Sequence, residues 1–148
     1  AIPYEGFDVI LRAESGAFFD ELVRTKGVDQ MVEQHQRSRA NSLRQSRFIP
    51  AVEYLQANRH RQLLIEKMHE LMKDFDVLIS PSFRNRQLVI TNLTGHPVVI
   101  IPTGLDDKKL PTSVTLVGNL YDEGNILLLA KHFQEVTEFD ELHPKGYD

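Results

Sequence analysis

Asp76-Val77-Leu78-Ile79-Ser80-Pro81 is the stretch on which the fold turns. An aspartate breaks the helical pattern before it, and a proline, which supplies no N–H, stops it. The apolar run between them is too short for a buried helix and reads as a buried strand. Two further strands follow. Val98-Val99-Ile100-Ile101 is bounded by Pro97 and Pro102, and Ser113 to Val117 ends at Gly118.

Outward from this core the chain is helical. A long helix opens at Pro50, where a missing N–H does no harm, and runs to about Phe75. Leu64, Met68, Leu71, Met72 and Phe75 form its expected buried stripe; Met68 and Met72 belong to that core and not to a cofactor site. Phe7 to Lys26 reads as an amphipathic helix ended by Gly27, with Gly16 as a weak spot costing about 1 kcal/mol relative to alanine. Asp29 is placed to cap a short helix starting near Gln30. Arg37 to Arg47 has no apolar period and reads as an irregular connection. After the first strand, Thr91 to Gly95 is a turn or short helical segment, and Gly104 to Pro111 is an exposed loop. Asp122 can cap a last helix, with Ile126, Leu129, Ala130, Phe133 and Val136 inward.

The expected class is α/β: a small mixed sheet of about three strands, buried on both faces under helices. The chain reads as one domain, 1–148, with a helical segment over 1–47 and the long helix, strands and final helix over 48–148. A three-stranded sheet has two open edges, and open edges invite pairing.

Composition narrows the function. Hydrophobic residues at 41% and charged residues at 26% give the balance of a globular protein, and no apolar run is long enough to span a bilayer. The first residues lack the basic end and apolar middle of a secretory signal, but a processed signal would leave no trace; a cytoplasmic location is the expectation, with export ahead of Ala1 left open. With no cysteine, disulfides, thiolate metal sites and a cysteine nucleophile are excluded. A net charge of −4 argues against bulk nucleic-acid binding.

From Arg47 onward the order of punctuating residues resembles the C-terminal region of the amidase-signature family. Ile49-Pro50-Ala51-Val52-Glu53-Tyr54 opens the long helix, and Asp76 to Pro81 makes the first strand. Asn92-Leu93-Thr94-Gly95-His96-Pro97 follows, then a strand and Pro102-Thr103-Gly104. Leu110-Pro111 opens the last strand, which ends in Val117-Gly118. Glu123 and Leu127 to Ala130 sit on the final helix. Each element is common alone; their order over about a hundred residues carries the resemblance.

The resemblance implies acyl transfer. An activated serine attacks an amide carbonyl, backbone N–H groups hold the oxyanion, and water releases the acyl group. The family's Ser-Ser-Lys triad lies in its N-terminal two-thirds. No adjacent serine pair or glycine pair occurs here, and no residue around Lys26, the first lysine, matches the catalytic segment, so no catalytic residue is carried over. The expectation is a C-terminal piece, inactive alone, of an enzyme cleaving small linear amides. It would be partnered by the N-terminal part of the same amidase and need no cofactor. The alternative is a non-catalytic binding or assembly module that self-associates through its sheet edges. Only Phe83 to Thr91 separates the first strand from the Asn92 segment, where many members have a longer insertion, and Ser113 stands where members often carry glycine.

Ser82, Phe83, Asn92 and Thr94 are the candidate pocket wall, placed at the end of a strand where α/β folds receive ligands. Against this stands a plain strand end with solvated hydroxyls. His60 and His69 fall on opposite faces of one helix, and His69-Glu70 lacks the second histidine of a zincin motif, so no metal site is expected. His96 is expected in a structural hydrogen bond. Arg37, Arg39, Arg44, Arg47, Arg59 and Arg61 read as a solvated face or as internal ion pairs rather than a nucleic-acid surface.

Overall fold

The computed structural model describes residues 8–82 and 86–142, in two compact units, 1–63 and 64–148. Its helices are α1 (Asp8–Phe18), α2 (Asp20–Arg24), α3 (Arg39–Ser46), α4 (Ala51–Met72), α5 (Gln87–Thr94) and α6 (Glu123–Thr137). Its strands are β1 (Val77–Pro81), β2 (Val98–Leu105) and β3 (Pro111–Gly118).

In the first unit the single helix expected from Phe7 to Lys26 is broken at Phe19 into α1 and α2, and Gly27–Gln30 forms a short 3-10 turn after Lys26 at φ 62°. Asp29 lies inside that turn rather than at a cap. The stretch expected to be irregular contains α3. Ser38 caps it, its Oγ accepting the N–H of Asn41 at 3.3 Å. Ala40 and Leu43, one turn apart, are buried with Val28, against Leu22, Val23 and Met31. Two apolar residues on eight leave too little period to read, yet enough to anchor one turn.

Gly16 has a use that its propensity conceals. A Cβ built there would stand 1.9 Å from Ser46 Oγ, so glycine is what lets α1 and α3 cross this closely.

The second unit is a three-layer arrangement on a sheet of order β1-β3-β2. Both ladders are antiparallel, running from Val77↔Gly118 to Pro81↔Val114 and from Val98↔Val117 to Leu105↔Pro111, with a bulge between Pro102 and Gly104. β2 and β3 form a hairpin in which Asp106 Oδ1 accepts the N–H groups of Lys108 and Leu110 at 2.8 and 2.9 Å. The strand therefore reaches past Gly104, and the exposed loop shrinks to the five residues after Leu105.

Residues opposite one another in the ladders share a face. Ile101 and Leu116 meet Ile126 and Ala130 of α6, with Val77, Val99, Val114 and Phe133 alongside. On the other face Val117 and Leu78 meet Met68, Met72 and Ile90. The sheet is thus covered by helices on both faces, as expected for its class.

The cover is incomplete. Ile79 is 68% exposed and Ile100 59%, each on an outer strand, so only β3 is buried on both faces. Leu64, Met68 and Met72 are buried as expected, but Leu71 and Phe75 are exposed; spacing alone makes the apolar stripe too wide. On α6, Ile126 and Ala130 are buried, Phe133 packs beside them, and Leu129 and Val136 are exposed. Asp122 makes no side-chain cap; its Oδ2 instead accepts from Asn125 Nδ2 at 2.6 Å.

Candidate functional site

β1 ends by delivering Ser82 to the face covered by α4 and α5. Ser82 Oγ accepts a hydrogen bond from Thr115 Oγ1 at 3.0 Å, and Thr115 is buried in the central strand. The Ser82 hydroxyl is therefore held by the sheet, with its own hydrogen available to another acceptor.

α5 carries two of the other candidates. Thr94, 5% exposed, donates its single hydrogen to the Ile90 carbonyl at 2.9 Å. Its oxygen is then left to accept from His96 Nδ1 at 2.8 Å, which sets the His96 tautomer with the proton on Nδ1. Burial holds the His96 pKa below the ordinary histidine value, and the charge of His69 lowers it further. His96 thus takes the structural hydrogen bond expected of it. Asn92, two residues from Thr94 on the helix, is exposed. Phe83 lies outside the described residues.

Among the described residues no hydrogen bond joins Ser82, Asn92 and Thr94 to one another. Thr94 is committed to the α5–β2 corner, whereas Ser82 and Asn92 each keep a polar group that a ligand could reach. Gly95, at φ 81°, ends α5 and gives its N–H to Thr91 O at 2.8 Å, turning the chain sharply into β2.

Sequence reasoning missed a second concavity. An open groove of about 680 Å³ lies between α6 and the start of β1, with Val77, Leu128 and Leu129 on its apolar side and Asp76, His132 and Glu135 on its rim. Its rim charges are partly paired: Glu135 meets Lys131 at 3.6 Å and His132 at 4.0 Å. Leu127-Leu128-Leu129 in a row is the available signal, since no single helix face can bury three consecutive leucines.

No group of three or more His, Asp or Glu side chains placed to hold a metal occurs among the described residues. Several arginines of the N-terminal unit are engaged locally. Arg44 meets Asp29 at 2.5 Å and Gln34 at 3.0 Å, Arg47 pairs with Asp20, and Arg39 lies over the Phe19 ring. A hydrogen bond from Arg24 holds the Asp20 carboxyl below its usual pKa, with the charges of Arg24 and Arg47 adding to it. No described helix is long and apolar enough to cross a membrane.

The fold is that of a part of the amidase-signature enzymes. A bacterial aryl acylamidase of that family superposes with a TM-score of 0.72 over 95% of this chain and 36% of its own, at 17% identity. A chain from a vestigial protein complex linked to the origins of an s-triazine catabolic enzyme gives 0.71 over 88% and 34%, at 22% identity. The sequence points the same way. A glutamyl-tRNA(Gln) amidotransferase subunit from Thioalkalivibrio sulfidiphilus, an amidase-signature homologue, is 29% identical over 64% of this chain and 23% of the relative. No family model matches. The chain therefore spans less than a quarter of the length of that relative, and the resemblance to the C-terminal part of the amidase-signature family holds in sequence and in fold.

Proposed function

We propose that this chain is the C-terminal part of an amidase-signature amidohydrolase that cleaves linear amide C–N bonds. The observation that carries this is the agreement of fold and sequence on one family, over most of the chain. In this reading the unit contributes β1, β2 and β3 to a larger sheet, and the nucleophile and base come from a preceding part of the protein. Ser82, Phe83, Asn92 and Thr94 form one wall of the amide pocket, Ser82 and Asn92 facing substrate and Thr94 holding the corner rigid through His96. The chain alone is inactive in this reading, because no residue of the family's Ser-Ser-Lys triad can be carried over to it.

The reading is tested on the gene. In frame upstream of Ala1, a lysine followed by a Gly-Ser-rich stretch with paired serines is expected. An upstream frame without them would overturn the assignment.

A second reading is favoured by Ile79 and Ile100, apolar side chains left open on the two outer strands. In it the chain is a non-catalytic module that associates with itself through a sheet edge.

A further inference from the structure

We propose that Thr115 is the positioning residue that makes Ser82 a hydrogen-bond donor, and that the substrate meeting this wall is a linear amide carrying a second carbonyl oxygen. This rests on the amidase reading and adds to it the polarity of the wall and the residue that sets it.

Two hydroxyls 3.0 Å apart can share a proton in either direction, and burial decides which. Thr115 is 2% exposed, in the central strand of the sheet. Among the described residues its hydroxyl has Ser82 Oγ as its one partner. If Ser82 gave the proton, the Thr115 hydrogen would be left inside the fold with no acceptor, at the full desolvation cost of a buried donor. With Thr115 donating, no buried group is orphaned. Ser82 is only partly buried and makes no other side-chain hydrogen bond among the described residues. One of its lone pairs is taken by the sheet, and its proton is turned away from it.

Register shows what stands beside that proton. Thr115 lies opposite Ser80 on β1 and Ile100 on β2, so the three share the face of Val117 and Leu78. Ser82, two residues beyond Ser80, returns to this face, where its hydroxyl meets Thr115. Met68, Met72 and Ile90 cover the Val117 end. Farther along, the cover stops: Ile100, next to Thr115, is 59% exposed. Buried Thr115 is therefore flanked by an open apolar side chain and by a hydroxyl with a proton to give. Such a surface takes an apolar acyl chain against Ile100 and an acceptor oxygen at Ser82. Asn92, exposed on α5, can donate or accept and so selects neither.

In the chain itself, deuterium isotope shifts on the serine and threonine side-chain carbons report how fast each hydroxyl exchanges. A slow Thr115 hydroxyl and a fast Ser82 hydroxyl are expected, and any other pattern overturns the donor assignment. In the whole protein, with the part encoded upstream, wild type, Thr115→Val and Thr115→Ser are compared on pentanamide and its oxo analogues, which differ only in a second carbonyl. Valine suits a central strand, and circular dichroism checks that the variant folds. The wild type should prefer one oxo analogue. Thr115→Val should lower kcat/KM for that analogue by about tenfold, carried in KM, and change pentanamide by less than about twofold. Thr115→Ser should restore the preference. An equal loss on every amide overturns the proposal, as does a wild type with no preference for an oxo analogue. Failure to hydrolyse any amide overturns the amidase reading and the substrate assignment with it, and the exchange pattern alone then judges the role of Thr115.

Discussion

The two units of this chain are held in different ways. Residues 64–142 rest on a sheet whose central strand is buried on both faces, with Leu116 and Ile126 on one side and Val117 and Met72 on the other. Residues 8–63 have a small apolar cluster, Val28, Ala40 and Leu43, and a close crossing of α1 and α3, with exposed ion pairs around Asp20 and Asp29. One unit is therefore stabilised by area removed from water and the other by fit, since exposed ion pairs contribute little.

The largest effect is expected where area matters most. Leu116→Ala should destabilise the second unit by about 2–5 kcal/mol, read as a fall in the urea midpoint without a change in slope. A cost below about 1 kcal/mol would mean that the sheet core is loosely packed.

Gly16→Ala comes next and probes the other unit. Helix propensity alone favours alanine by about 1 kcal/mol. The clash with Ser46 should reverse the sign and cost roughly 1–3 kcal/mol. Adding Ser46→Gly should recover most of the loss in a double-mutant cycle. Stabilisation by Gly16→Ala alone would show that fit does not hold this unit. Ser38→Ala, which removes the cap of α3, should cost about 1 kcal/mol.

The smallest effect is a pH dependence in the second unit. The folded state holds His96 below its ordinary pKa, so the unfolded chain binds the proton more readily. Stability should be unaffected at neutral pH and should fall as pH drops below about 6.5, the ordinary histidine value. His69 faces the same group, so the comparison is between wild type and His96→Gln, whose thermal midpoint should vary less from about pH 7.5 to about pH 5.5, the range that brackets an ordinary histidine. Equal slopes in the two proteins would mean that His96 has no part in it.

The same contrast explains what could be read in the sequence. β1, β2 and β3 were legible because short apolar runs bounded by proline and glycine leave few alternatives, and the order of those marks carried the family resemblance. α3 was not legible: its signals were one capping serine and two apolar residues, and both are local. Gly16 reads as a cost in sequence because the residue that explains it, Ser46, lies far along the chain. The positions of the candidate wall residues were legible only in part. Ser82 and Thr94 could be placed at strand and helix ends, but the partners that commit them, Thr115 and Ile90, appear only once register and helix phase are known. The groove beside α6 has its signal in three consecutive leucines, a pattern that says some leucine stays exposed without saying which.

The decisive measurement is ammonia release from simple linear amides, made with the purified chain and again after adding the separately produced segment encoded upstream. No release above background is predicted from the chain alone, and release is predicted when the two are combined. Release by the chain alone would contradict the assignment, because the hydrolytic groups would then have to lie within these 148 residues.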